Sequence, residues 1–383
     1  MSQILDFPQI PVFAGLDYHQ DSVQICVLDQ DGKKLLNRSV ANSTPLIFST
    51  LTQFGTPLRI GVEACCGAAN LADELVTQYN LPVQLAHPGY VNRMKRSPDK
   101  TDFGDAQMLA DLSRVNYLPK VWLAPSYLRE LRRLVRHRGQ LVKRRTETKL
   151  RIRGLLRENR VKCPEPVTAW SKPWLAWLQQ GASLSPSDKW VLKDHLIELN
   201  SLTERIGATE AQISEQTKDD PVIVELLKLK GVGLITAVTL RAEIGRVDRF
   251  LTGKQLARFC GVTPRNASSG ARQADAGLIR AGNPDLRCLL IELAHRLIRY
   301  DESWQKLAYS LISQGKHRNV AVAAVANRWV RKLFHLWRAD FTPNMDFLRD
   351  GRVDRISSES EPSPKKKSLK KTPQARRDSP ALT

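Results

Sequence analysis

The stretch Lys100-Thr101-Asp102-Phe103-Gly104-Asp105-Ala106-Gln107-Met108-Leu109-Ala110 carries two carboxylates three residues apart, where a helix is predicted to begin. Apolar Met108, Leu109, Leu112 and Val115 follow at helical spacing. Residues i and i+3 of a helix share a face, so Asp102 and Asp105 can point at one spot. Asp105 precedes Leu109 by four, so the acids extend the face that packs inward. Two negative charges aimed at a core are costly unless something positive meets them, and a divalent cation is the natural candidate. A plainer alternative fits the same residues: Thr101 or Asp102 caps the helix and Asp105 adds favourable charge to its first turn.

The elements that must position such a site are legible upstream. Residues 10–30 read as a β-hairpin: an apolar strand, Val12 to Asp17, ends in an acid, and an alternating strand, Ser22 to Leu28, follows. Asp29-Gln30-Asp31-Gly32 is an Asp-Gly turn, and Lys33 to Val40 can add a third strand. Residues 43–54 look helical. Leu58 to Glu63 is a second short apolar strand ending in an acid, with a helix from about Ala68 to Tyr79 and a strand at Val83-Leu85 after it. Strands followed by helices predict an α/β sheet, whose sites form at the carboxyl ends of strands. The order Asp17, Glu63, Asp102, Asp105 matches an RNase H-like or RuvC-like nuclease, in which carboxylates from two strands and a helix converge on one or two divalent ions. Mg²⁺ takes hard oxygen ligands and can activate the attacking oxygen while neutralising the leaving one.

The chain of 383 residues has a net charge of +20, which points to nucleic acid or another anionic surface. Residues 129–160 alone hold 13 Lys and Arg against three Glu. A long basic helix is predicted over 126–160, with Leu128, Leu131, Leu134 or Val135, Leu141 and Val142 on its apolar stripe. Arg132, Arg133, Arg136, Arg138, Arg144, Arg145, Lys149, Arg151 and Arg153 are its candidate phosphate contacts. Six scattered cysteines include no Cys-x-x-Cys pair, which argues against structural zinc or a disulfide framework. With no leader pattern and no long apolar run, a soluble protein of a prokaryotic cytoplasm, without a membrane partner, is expected.

Residues 164–187 read as a Pro- and Trp-containing connector. Leu192, Leu199, Ile206 and Ile213 then repeat every seven residues with Leu196 and Leu202 between, a short coiled-coil signal that helix packing within the chain explains equally well. Leu229-Lys230-Gly231-Val232-Gly233 resembles the turn of a helix-hairpin-helix, where glycines let backbone N–H groups approach a phosphate. Further helices are expected at about 234–243, 253–260, 285–300 and 319–337. Between them lies a polar loop, Gly261-Val262-Thr263-Pro264-Arg265-Asn266-Ala267-Ser268-Ser269-Gly270, flanked by Arg265 and Arg272. Its Ser-Ser-Gly is either a nucleophile in a basic loop or a flexible turn. From Ser357 the Ser-, Pro- and Lys-rich chain predicts disorder. The expected domains are 10–160 (acid-bearing core to about 125, then the basic helix), 161–217 (connector and coiled coil), 219–345 (mainly α-helical) and a tail at 346–383.

Taken in order, these motifs resemble the DEDD-type insertion-sequence transposases of family one-hundred-and-ten. The resemblance runs from about Ala14 to Leu336. Its most specific piece is Lys100-Thr101-Asp102-x-x-Asp105-Ala106-x-x-Leu109-Ala110. The second is Gly261-x-Thr263-Pro264-Arg265-x-x-x-Ser269-Gly270, with Ile279-Arg280-x-Gly282-Asn283-x-x-Leu286-Arg287 downstream. It implies a RuvC-like domain followed by a serine-bearing transposase domain. Asp17, Glu63, Asp102 and Asp105 would bind Mg²⁺, and Ser269 would become joined to a DNA 5′ phosphate. It also implies an obligatory homo-oligomer, dimer or tetramer, whose site is composite between protomers, and a structured non-coding guide RNA that pairs with donor and target double-stranded DNA. Lys230, Arg265, Arg272, Arg280 and Arg287 join the expected nucleic-acid contacts. Two departures stand out: Cys65-Cys66 ahead of Gly67, and Asp275 where the segment is usually more basic. Two other functions fit the residues, a metal-dependent structure-specific nuclease needing the acids but not Ser269, and a non-catalytic nucleic-acid-binding protein.

Overall fold

The structure is a computed structural model that describes residues 11–94, 101–180, 182–266 and 275–340. The tail expected to be disordered and the Ser268-Ser269 loop tip lie outside the described residues. The hairpin predicted at the start is present as β1 (Val12–Tyr18) and β2 (Ser22–Leu28), with Phe13 opposite Leu28 and Tyr18 opposite Val23. β3 (Lys34–Ala41) adds antiparallel to β2, and α1 (Thr44–Leu51) follows. β4 (Pro57–Glu63) lies parallel to β1; after α2 (Ala68–Tyr79), β5 (Val83–Ala86) lies parallel to β4. The sequence reading missed α3 (Pro88–Met94) and the two-residue β6 (Lys120–Val121), which closes the sheet antiparallel to β5. Between those two comes α4 (Asp102–Arg114), the helix of the two acids. The strand order is β3-β2-β1-β4-β5-β6.

Alternation along β1 and β4 sorts their side chains between two faces. Val12, Ala14, Leu16, Ile60 and Val62 pack with Ile47, Leu51, Leu71 and Leu75 under α1 and α2. The intervening Gly15, Asp17, Gly61 and Glu63 fall on the opposite face, where α4 packs across β1, β2 and β4. Gly15 and Gly61 are partners in the parallel register. A Cβ on Gly15 would run into the Ala106 carbonyl and the Ala110 amide of α4; one on Gly61 would meet the Ser113 hydroxyl. The paired glycines therefore form a flat seat for the helix, one pleat before the two strand-end acids. Because backbone atoms cannot step aside as side chains do, Gly15→Ala is expected to lift α4 and to destabilise the fold by about 3 kcal/mol, read as a lowered thermal-unfolding midpoint.

The basic stretch is a single helix, α5 (Ser126–Glu158), packed antiparallel on α7 (Pro186–Thr217). Ile152 and Leu156 meet Leu192, Leu196 and Leu199, and Leu141 meets Leu202 and Ile206. The heptad leucines are thus spent on packing within the chain. The expected connector is not a bare linker. It holds α6 (Lys172–Gln180), whose Trp174 and Leu178 enter the same small core. Trp170, Trp174 and Trp177 cluster there, with ring centroids 4.4 and 6.2 Å apart along the series, and burying such large apolar rings supplies much of that core's stability.

Beyond it come α8 (Pro221–Leu227), α9 (Leu234–Ile244) and α10 (Gly253–Phe259), then a two-stranded ribbon of β7 (Pro264–Asn266) and β8 (Asp275–Leu278). Gly231 turns the chain between α8 and α9 with φ +81°, a left-handed conformation that favours glycine. The last elements are α11 (Pro284–Tyr300), α12 (Glu302–Ser313), which the sequence reading missed, and α13 (Arg318–Asp340). Trp329, Val330, Leu333 and Phe334 of α13 are buried, as its apolar periodicity predicts. Among the described residues no helix is long and apolar enough to cross a membrane.

Candidate active site

Asp17 and Glu63 sit one residue past Leu16 and Val62, the last register partners of the parallel strands β1 and β4. On the helix above them, Thr101 takes the N-cap: its side chain accepts from the Gly104 N–H at 3.2 Å. That leaves Asp102, the first residue of α4, free of capping duty, and its carboxylate comes within 3.2 Å of His19 Nε2. His19 Nε2 also stands 3.5 Å from Asp17 Oδ2. Donor atoms of Asp17, His19 and Asp102 all lie within 4.8 Å of one another. Asp105, one turn further along α4, is 8% exposed and precedes Ala106, which lies against Gly15 of the sheet.

His19 was not visible from sequence as part of the group. The β1–β2 turn fixes it: its N–H donates to the Ser22 carbonyl at 2.9 Å, and its carbonyl accepts from Asn42 Nδ2 at 3.0 Å. Phe103, next to Asp102, is held on the other side, its carbonyl accepting from Asn37 Nδ2 at 3.0 Å while Lys34 lies over its ring. Cys65 reports the local field. Burial pushes its thiol up, a bond from the Ala68 N–H opposes this, and the negative charges of Glu63 and Asp17 add to the rise. A donor set of carboxylate oxygens is the chemistry of hard divalent cations, and the convergence of Asp17 and Asp102 fits such an ion. Among the described residues Asp17, His19 and Asp102 are the group brought close enough to hold it; of the other two expected acids, Glu63 ends the neighbouring strand and Asp105 is buried one turn along α4.

The second motif region is built around Arg287. Its guanidinium donates to the carbonyls of Gly261 at 3.0 Å and Ile279 at 2.8 Å. It thereby ties the start of the Thr263-Pro264-Arg265 segment to the end of β8, the two sides of the loop that carries Ser269. Gly282 packs directly on the Gly261 backbone. Asn283 caps α11, accepting from the Asp285 and Leu286 amides, and donates to Glu243 Oε2 at 2.9 Å. Arg287, expected to touch nucleic acid, braces the protein's own backbone through its Nε and Nη2. Lys230 pairs with Asp301 at 3.2 Å across an exposed surface. Arg265 and Arg280 are exposed; Ser269 and Arg272 lie outside the described residues.

Comparison with known proteins follows the same two regions. Residues 14–160 match a DEDD-type IS110 model described as Transposase, and residues 224–310 match one described as Transposase IS116/IS110/IS902 family. The chain belongs to the IS110 family of transposases. The transposase for insertion sequence element IS1111A of Coxiella burnetii is 29% identical over 320 residues, covering 82% of this chain and 86% of that protein. The transposase for insertion sequence element IS1328 of Yersinia enterocolitica is 25% identical, covering 83% and 94%. A T. thermophilus RuvC in complex with Holliday junction substrate aligns at TM-score 0.24 and 15% identity over 29% of this chain and 99% of that one, a likeness too slight to assign a fold. As an IS110 transposase the protein is an enzyme that acts on DNA.

The transposase's basic helix divides into two populations. Arg132 donates to the Ala242 carbonyl at 2.6 Å; Arg136 grips the buried Glu243 carboxylate through two bonds of 2.9 and 3.0 Å; Arg138 pairs with Glu210 at 2.7 Å. These arginines fasten α5 to α9 and α7, although the Arg136 side chain keeps 53% of its surface in solvent. Lys149 and Arg153 lie over the Trp170 ring at 4.9 and 5.6 Å, and Arg145 is half-buried. Arg133, Arg144 and Arg151 are exposed, and spacings of eleven and seven residues put them on one helix face.

Proposed function

We propose that this transposase cuts and rejoins donor and target double-stranded DNA through a phosphoserine at Ser269, with Mg²⁺ at Asp17, Glu63, Asp102 and Asp105. On this reading residues 10–160 form a RuvC-like, RNase H-like domain and 219–345 the serine domain. They work across protomers in a homo-oligomer, with a structured non-coding RNA supplying sequence recognition by base pairing. The observation that carries the reading is the meeting of a β1-end acid and an α4-start acid over a glycine seat, beside the Glu63 end of β4. When bound, the divalent ion supplies charge neutralisation at the reacting phosphate. The chain's own work is to hold the acids on rigid elements, to bring the DNA backbone over them, and to present the nucleophile. The Ser269 hydroxyl attacks phosphorus and gives its proton to water, the P–O3′ bond breaks, and the 3′ oxygen takes a proton from water and leaves as a hydroxyl, so one phosphate ester is exchanged for another and kept in the covalent adduct for rejoining. The Arg287 brace supports this by fixing both sides of the serine loop.

Ser269→Ala tests the reading. It is expected to abolish both the covalent protein–DNA adduct, seen as a denaturation-resistant band shift, and strand exchange. Continued cutting by this variant would make the protein a metal-dependent nuclease instead. A second measurement addresses the basic face. Replacing Arg133, Arg144 and Arg151 together by Ala should reduce the slope of log affinity against log salt by about 0.9 per charge on B-form DNA. The same treatment of Arg136 and Arg138 should move stability more than salt slope, because their partners are Glu243 and Glu210.

A further inference from the structure

We infer that His19 is a nitrogen ligand of the ion held by Asp17 and Asp102, and that it tilts the site toward Mn²⁺ over Mg²⁺. This rests on the reading that the acids bind a divalent cation. Three observations support it. His19 belongs to the hairpin turn that positions Asp17, two residues away, and its backbone is held from both sides by Ser22 and Asn42. Its Nε2 faces two carboxylate oxygens on different elements, at 3.5 Å from Asp17 and 3.2 Å from Asp102. Those spacings match neighbouring corners of an octahedron. Ligands at about 2.1 Å from a common ion stand about 3.0 Å apart when they are adjacent and about 4.2 Å apart when they are opposite. The three donor atoms lie within 4.8 Å of one another, so side-chain movements of under about 1 Å would bring them to the spacing a single ion requires.

The ligand set then gains one imidazole among carboxylates. Mg²⁺ strongly prefers oxygen and gives up its water reluctantly, whereas imidazole donors gain weight along the first transition row. A His beside two Asp therefore favours Mn²⁺ more than it favours Mg²⁺. The imidazole is 43% exposed and not part of a core, so its loss does not threaten the fold.

The test uses the full-length protein titrated with Mn²⁺ alone and followed by electron paramagnetic resonance, with pulsed detection of nitrogen coupling. Wild type should show the ¹⁴N modulation of a coordinated imidazole. His19→Ala should lose it, bind Mn²⁺ about tenfold more weakly, and change Mg²⁺ affinity, measured by competition, less than threefold. His19→Asn, which keeps a polar side chain in the turn, should behave like the alanine variant. Tight Mn²⁺ binding by wild type without nitrogen coupling, or equal losses for both metals in His19→Ala, overturns the role of His19 and leaves the acid site standing. Binding by wild type no tighter than by Asp17→Asn overturns the acid site itself, and the inference with it.

Discussion

Asp17→Asn is expected to cost strand cleavage and joining about 10³-fold or more, the scale on which removing a directly acting electrostatic group is felt, while fold and DNA affinity stay near wild type. The substitution is isosteric and sits at the end of β1, past the last core residue, Leu16. Its side chain is 17% exposed, so the amide meets solvent on one side and disturbs no buried apolar contact. What changes is charge: the site loses one of the two carboxylates whose oxygens approach His19 from separate elements. Asp29→Asn is the matching control. Asp29 Oδ1 accepts from the Asp31 and Lys33 amides at 3.0 and 2.8 Å, the work of a turn residue that asparagine performs as well. Strand-exchange assays on the two variants, with melting curves alongside, should separate them by at least two orders of magnitude; a comparable small loss in both would remove Asp17 from the chemistry.

That contrast also marks how far the sequence could be read. Both are aspartates near the start of the chain, yet Asp17 ends a buried strand and Asp29 opens an Asp-Gly turn, and those local patterns told them apart. The same held for α4, where a threonine cap, two acids at i and i+3, and apolar residues behind them are all short-range signals. His19 was different. A lone histidine after a strand has no ligand spacing, and its approach to Asp102 exists only because Gly15 and Gly61 admit α4 onto the sheet. The internal partners of the basic helix were hidden for a similar reason. Composition counted every arginine equally, but the partners that neutralise Arg136 and Arg138 stand on α9 and α7, far along the chain. Arg287 read from sequence as a nucleic-acid contact, but its bonds to the Gly261 and Ile279 carbonyls depend on residues that no local pattern places beside it. The missed α12 is parted from α11 by the single residue Asp301, which both ends one helix and caps the next.

The largest loss of stability is expected far from the acids, at Asp220. One carboxylate oxygen caps α8 by accepting from the Val222 and Ile223 amides at 2.9 and 3.2 Å, and the other accepts from Arg241 Nε at 2.9 Å. Arg241 is 3% exposed, and its remaining donors go to the Gly245 carbonyl and, at 2.7 Å, to the Tyr127 hydroxyl on α5. Burial pushes the Tyr127 phenol up and the neighbouring guanidinium opposes it, so the cation and the hydroxyl are mutually adapted. Asp220→Ala removes a helix cap, worth about 1 kcal/mol, and strands a buried cation, which costs about 3–5 kcal/mol. A loss of about 4 kcal/mol in denaturant unfolding follows, enough to loosen α8 and α9 from the basic helix. Asp220→Asn should lose less, because asparagine still caps while only the charge is gone. Adding Arg241→Met to Asp220→Ala should recover part of the deficit, since the penalty comes from leaving one ion behind and not from lacking the pair. If the double variant is no more stable than Asp220→Ala, the buried cation is not the source of the cost and the cap must carry more than its usual share.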